Sequence, residues 1–252
     1  MFLFSSSHKY SASEIVKHYI VSRAFERSKN FSVDQVLEHT EDSHVIKLGG
    51  SDNFPIVMLI GGVGGSGKST FIDFCKKHMH GVYEESTIDC CKQVVGFMSG
   101  LETSASNFSS LENEIIYKSD KYRTLLSVLK DIWCKTDDGP NNIAISMIKT
   151  RFQLANTSVV FLNVREPEQI EHLKAKLEED CRAVVITVAV IRNNPKDYTN
   201  ESDRKTLEYQ YDLYIVNEGS IEVLEYQALN FCRAIEDANY KLKDLLSYCR
   251  ES

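Results

Sequence analysis

Residues 56 to 78 read Ile56-Val-Met-Leu-Ile-Gly-Gly-Val-Gly-Gly-Ser-Gly-Lys-Ser-Thr-Phe-Ile-Asp-Phe-Cys-Lys-Lys-His78. The run Ile56 to Ile60 is apolar at every position, the pattern of a central parallel strand covered on both faces. Gly62 to Ser69 fits G-x-x-x-x-G-K-[ST] in full, and a helical pattern from Thr70 to His78 follows at once. Five of the twelve glycines fall between positions 61 and 67, where backbone N–H groups must curve around an anion without side chains blocking the approach. Strand, Gly-rich turn and helix in this order predict a P-loop. The backbone of Gly62, Val63, Gly64, Gly65, Ser66 and Gly67 is expected to cradle the phosphates of a nucleoside triphosphate, with the helix N-terminus at Thr70 adding donors and partial positive charge. Lys68 is expected at the β- and γ-phosphates, and Ser69 with its hydroxyl on Mg²⁺.

Working outward, unalternated apolar runs recur at Val159 to Leu162 and Ala183 to Ile191, and Tyr211 to Val216 half alternates. Helical patterns separate them at Thr87 to Met98, Lys121 to Trp133, Asn142 to Leu154, Pro167 to Glu179 and Ile221 to Tyr248. This alternation predicts an α/β fold, a P-loop NTPase three-layer open parallel sheet with helices on both faces. Before it, Ser11 to Arg27 reads as an amphipathic helix and Val33 to His39 as a second short one. The turn formers in Lys47-Leu-Gly-Gly-Ser-Asp-Asn-Phe-Pro55 then mark a boundary. Residues 1–54 are thus expected to form a small helical appendage that contacts a protein partner or a second copy of the chain, and 55–252 the P-loop domain. The polar stretch from about 99 to 120 suits a connection over a cleft, and 192–208 suits a functional loop.

Composition sets limits on partners. A chain that is 42% hydrophobic and 26% charged is of ordinary globular type. Its net charge of -7 argues against nucleic acid as the main partner, although a few converging Arg and Lys residues can still bind a small anion. Seven cysteines, an odd number without C-x-x-C spacing, read as reduced thiols. No apolar run approaches the about 18 residues of a membrane span, and Met1-Phe-Leu-Phe4 is too short for a signal-peptide core. A cytoplasmic location is expected, which makes the Asn-x-Ser sequons at Asn30, Asn107, Asn156 and Asn200 chance occurrences.

Taken with the P-loop, Phe161-Leu-Asn-Val-Arg-Glu-Pro-Glu-Gln-Ile170 and Tyr211-Asp-Leu-Tyr-Ile-Val-Asn-Glu-Gly219 resemble the phage deoxynucleoside monophosphate kinase group. Animal phosphomevalonate kinases are similar in outline. The resemblance covers residues 56 to 235 and leaves residues 1 to 54 outside. It implies ATP and Mg²⁺ as cofactors, an acceptor-binding region over about 83–135, a lid over about 192–208, and a small phosphorylated acceptor, with a deoxynucleoside monophosphate favoured. The group's usual Asp before the strand-end arginine is Asn163 here. Asn-Lys-x-Asp, the base-reading stretch of switch GTPases, is absent from the sequence.

Arg165 directly follows a buried strand, so it is expected at the carboxyl edge of the sheet, where it either forks onto an acceptor phosphate or pairs with Glu166 or Glu168. Arg123, beside the polar connection, resembles an acceptor-site arginine, with solvated surface as the alternative. Arg192, after the long strand, is the favoured lid cation, whereas Arg204 and Lys205 fit a solvated face as well. Asn217 and Gly219 resemble the loop against which the nucleotide base packs, or equally a plain turn leading into a helix. Asp89 either lines the acceptor pocket or is a helix-start carboxylate, and His78 with His80 reads as a helix C-terminal cap pair. The expected chemistry is transfer of the γ-phosphoryl group to an acceptor phosphate that is already largely dianionic and needs no strong base. A kinase of another small phosphorylated acceptor, or a regulatory nucleotide-binding module, are the alternatives.

Overall fold

The computed structural model describes residues 12–29, 55–98, 120–154, 157, 159–164, 166–181, 183–192, 205–206 and 208–250. In chain order the elements are α1 (Ala12–Lys29), β1 (Ile56–Gly61), α2 (Lys68–His78), β2 (Val82–Ser86), α3 (Asp89–Met98), α4 (Asp120–Asp137), α5 (Gly139–Leu154), β3 (Val159–Asn163), α6 (Pro167–Cys181), β4 (Val184–Ile191), β5 (Leu213–Val216) and α7 (Ile221–Arg250). The five strands form one sheet in the order β2-β3-β1-β4-β5, and all four pairings are parallel.

The unalternated runs form strands because both faces are covered. One core gathers Ile56, Met58, Ile60, Val159, Phe161, Ile186 and Val188 against α1, α2 and α7. The other gathers the intervening residues Val57, Leu59, Val160, Leu162, Val185 and Ala189 against α5 and α6. The expected three-layer α/β architecture with helices on both faces is therefore present. Phe71 of α2, Phe161 of β3 and Phe231 of α7 are fully buried and pack ring against ring, with centroids 5.6 to 6.3 Å apart, which pins α2 to the sheet beneath it. A smaller cluster of Cys91, Val95 and Leu126 joins α3 to α4.

Two expectations change. The helix assigned to an appendage is seated in the main core: Val16, Ile20 and Ala24, spaced by four, are buried there with α7 residues. Lys17 of α1 also meets Asp212 at 2.8 Å. The apolar stripe that makes α1 legible as a helix is covered by the domain itself, which leaves that face closed to a partner. The second strand was expected to end before Tyr83; it runs instead over Val82-Tyr-Glu-Glu-Ser86, whose neighbouring acids and little alternation hide it, as an edge strand with only Glu85 buried. The short helix expected at Val33 to His39 and the connection over 99 to 119 lie outside the described residues.

Strand order fixes where a ligand would sit. The connection leaving β1 runs through α2 on one face toward β2, and the one leaving β3 runs through α6 on the opposite face toward β4. Neighbouring strands whose connections diverge leave a crevice at their carboxyl ends, the usual ligand position in open α/β sheets. The crevice here lies between residues 61–67, after β1, and Asn163, at the end of β3.

Candidate functional site

The Gly-rich segment turns sharply at three left-handed glycines, Gly62 (φ 134°), Gly65 (φ 77°) and Gly67 (φ 100°). Ser66 N donates to Val63 O at 3.2 Å and closes the turn. Helix α2 begins directly after it. Gly67 stands at the N-cap and offers no side-chain cap, so the first N–H groups of the helix face outward with their partial positive charge. The Lys68 ammonium folds back across the loop and donates to the carbonyls of Gly62 (2.5 Å) and Val63 (2.9 Å).

The loop is crowded on its inner side and open on its outer side. A Cβ at Gly62 would stand 2.4 Å from Val190 O of β4, and one at Gly67 would stand 2.4 Å from Asn217 Nδ2. One at Gly64 or Gly65 would meet nothing within 4 Å. Asn217, after β5, donates its side-chain amide to Ser66 O at 2.9 Å, and its backbone N–H donates to Ile191 O at 2.7 Å. It thus braces the loop against the ends of β4 and β5. The Tyr211 ring lies over Gly61, so a larger residue there would displace it. Ser66 Oγ is buried and has no hydrogen-bond partner among the described residues, which is costly unless an incoming group supplies one. This set of donors, with open space above Gly64 and Gly65, fits a phosphate chain. Exposed Ser69 and half-buried Thr70 occupy the first helical turn, where a hydroxyl can serve a hard cation such as Mg²⁺.

Across the crevice, Asn163 pairs with Ile60 of β1, and Val164 N donates to Ile60 O at 3.2 Å. The Asn163 amide donates to Glu84 Oε1 of β2 at 2.9 Å and to Glu85 O at 3.4 Å. Glu84 Oε2 accepts from Lys76 of α2 at 2.9 Å. Burial alone would lower the Lys76 pKa, but the hydrogen bond and charge of Glu84, helped by Asp73, outweigh it and hold the ammonium above its ordinary value. Further along the sheet edge, Lys130 of α4 is buried and meets Glu166 Oε2 at 2.7 Å. Glu166, offered from sequence as a partner for Arg165, therefore already serves a lysine of the α4 region.

The structure gathers Gly62 to Thr70, Asn217 and exposed Arg192, which directly follows β4, at one edge of the sheet. Gly219 lies in the short link to α7, and Leu224 near the start of that helix faces Gly67. Arg123 lies on α4, with its side chain outside the described residues, as is Arg165 as a whole. Arg204 and most of 192–208 lie outside as well, and Lys205 is exposed. Asp89 opens α3 and pairs with Lys92 at 2.6 Å, which favours the helix-start alternative. His78 is not a cap: it is buried against Glu225 of α7 at 3.2 Å, and Met79 N closes α2 by donating to Cys75 O. Glu84 and Lys130 were missed because each sits in a stretch whose charges read as solvated surface.

Six cysteines are free thiols and Cys249 has no described side chain. Among the described residues, no group of three His, Cys, Asp or Glu side chains could hold a metal unaided. No described helix is long and apolar enough to cross a membrane. In comparison with known proteins, no family model matches the chain and no curated protein matches it significantly.

Proposed function

We propose that the chain binds ATP with Mg²⁺ at residues 62–69 and transfers the γ-phosphoryl group to the phosphate of a small acceptor, with a deoxynucleoside monophosphate favoured. The observation that carries this is the loop itself. Three left-handed glycines present backbone donors at the start of α2, Lys68 reaches across them, and Ser66 Oγ is buried without a hydrogen-bond partner among the described residues.

In this reading an oxygen of the dianionic acceptor attacks the γ-phosphorus in line, the bond to the bridging oxygen breaks, and ADP leaves. The loop N–H groups hold the phosphates, and Lys68 exchanges its carbonyl partners for the β- and γ-oxygens. Ser69 would hold Mg²⁺, which supplies charge neutralisation on the transferring group. Arg192, exposed directly after β4, would act as a lid cation on the transferring group, while Arg123 and Arg165 would orient the acceptor.

The test has two stages. Titration of ATP into the protein by calorimetry should show binding that Lys68→Ala abolishes without changing the far-UV spectrum. A coupled ADP-release assay across nucleoside monophosphates and other phosphorylated acceptors then identifies the second substrate. Replacing Arg123 or Arg165 by Ala should lower acceptor kcat/KM by roughly 100-fold and leave ATP affinity unchanged. Absence of ATP binding refutes the proposal, and binding without turnover on any acceptor refutes its catalytic half.

A further inference from the structure

Asn163 stands at the end of β3, across the crevice from the Gly-rich loop. An asparagine offers a hydrogen-bond acceptor at one end of its amide and a donor at the other, so its usefulness depends on which way it is turned. Here the turn is decided by chemistry. The side-chain amide lies against Glu84 Oε1 at 2.9 Å and Glu85 O at 3.4 Å. A carboxylate and a backbone carbonyl only accept, so the NH₂ group must face them. Asn163 Oδ1 is left at the other end of a half-buried side chain and accepts no hydrogen bond among the described residues.

We propose that Glu84 is a positioning residue which locks the Asn163 amide with its carbonyl oxygen toward the crevice, so that this asparagine serves the hydrated divalent cation as an aspartate would. The inference rests on the nucleotide-binding reading above. An unpartnered acceptor suits a ligand that donates, such as a water on the cation, and repels a bare phosphate oxygen.

Lys76 makes the lock testable. Its ammonium, which only donates, holds Glu84 Oε2 at 2.9 Å. In Glu84→Gln the lysine should claim the new amide's oxygen and leave its NH₂ facing Asn163. The asparagine then loses its stronger acceptor and keeps only the longer contact to Glu85 O at 3.4 Å, so its amide is no longer locked and can turn its own NH₂ to the crevice. In Glu84→Gln combined with Asn163→Asp, the carboxylate offers an oxygen at both ends and no lock is needed. Lys76→Met leaves Glu84 an acceptor and should leave Asn163 turned as before.

The measurement is ATP affinity by calorimetry in excess Mg²⁺ and in excess EDTA, with thermal melts confirming folding. Glu84→Gln should reduce the magnesium preference, the ratio of the two Kd values, by about tenfold, as expected when one hydrogen bond to a charged hydrate is lost. Affinity in EDTA should not change, the double variant should regain the preference, and Lys76→Met should keep it. An unchanged preference in Glu84→Gln, an equal loss in EDTA, or no recovery in the double variant overturns the proposal. A parallel loss in Lys76→Met would show that the cluster acts only as a brace between α2 and β2, which also overturns it. If wild type binds ATP with no magnesium preference, the proposal fails while the nucleotide site stands; if it binds no ATP at all, both fail.

Discussion

Substituting Ala for Gly62 and, separately, for Gly64 separates the scaffold of the loop from its open face. At Gly62 the backbone has φ 134°, which L-residues rarely adopt, and the new Cβ would stand 2.4 Å from Val190 O. That oxygen belongs to β4, a strand paired on both sides, and has little room to retreat. The dihedral strain is worth about 1–3 kcal/mol, and overpacking of this kind costs a similar amount. A total near 3 kcal/mol corresponds to a fall in Tm of roughly 6–12 °C for a chain of this size. At Gly64 a Cβ would meet nothing within 4 Å, and surface changes of this kind stay within about 0.5 kcal/mol. Differential scanning calorimetry of the two variants without ligand checks the first half. Repeating the scans with Mg²⁺-ATP checks the second, because ligand at about 100 times Kd stabilises wild type by roughly 2.7 kcal/mol and a methyl group on the open face should remove much of that gain. A Gly62→Ala protein melting within about 2 °C of wild type would refute the account of the loop's inner wall.

Three further outcomes follow from the packing. Breaking the Lys130–Glu166 pair should be asymmetric, since Lys130 is 7% exposed while the Glu166 side chain is 28% exposed. Glu166→Ala strands a buried ammonium and should cost about 3 kcal/mol, whereas Lys130→Met leaves a carboxylate that water can reach and should cost about 1 kcal/mol or less in urea titration. Equal costs would contradict this. Burial acts to raise the pKa of Asp212, but the hydrogen bond from Lys17 and those from the Thr187 amide and hydroxyl hold it below the ordinary carboxylate value. Its stabilising contribution is therefore complete above about pH 4 and is lost as pH falls through the lower folded value. Lys17→Met should cost about 1 kcal/mol at neutral pH and flatten the acid limb of a melting curve against pH; an unchanged limb would refute the assignment. Burial lowers the pKa of His78, only partly offset by Glu225. Its share of stability is then complete above about pH 6.5 and falls away as the solution is acidified below that. His78→Gln should remove this slope, and an equal slope in the variant would show that another group causes it.

The sequence made the sheet legible where burial leaves a simple mark. β1, β3 and β4 are unbroken apolar runs because helices cover both faces, and their limits fall within a residue or two of those read directly from the runs. β2 escaped because an edge strand needs little apolar surface, and its glutamates serve Lys76, Asn163 and Arg151 instead. The seat of α1 could not be read either: a stripe at positions 16, 20 and 24 shows that a helix face is covered, but not by what. At the site, glycine positions were informative because phosphate approach and left-handed turns both demand them. Asn217 was noticed for the base or as a plain turn, and the structure adds a brace to Ser66 O that no sequence pattern marks. Glu84 left no mark, since its role depends on two strands and a helix meeting in space.

The seating of α1 against α7 also bears on how the chain matures. Val16, Ile20 and Ala24 share one buried cluster with Ala228, Phe231, Cys232 and Ile235, so a helix made early in this chain rests on one made much later. At about 5–20 residues per second, its apolar stripe waits roughly 10–40 s for a partner. During that interval a chaperone could occupy the stripe, and the closing contact spans most of the chain, which favours slow completion of the fold. Chains interrupted before residue 224 would display the uncovered stripe together with the naked face of the sheet beneath α7, a ready mark for cellular quality control.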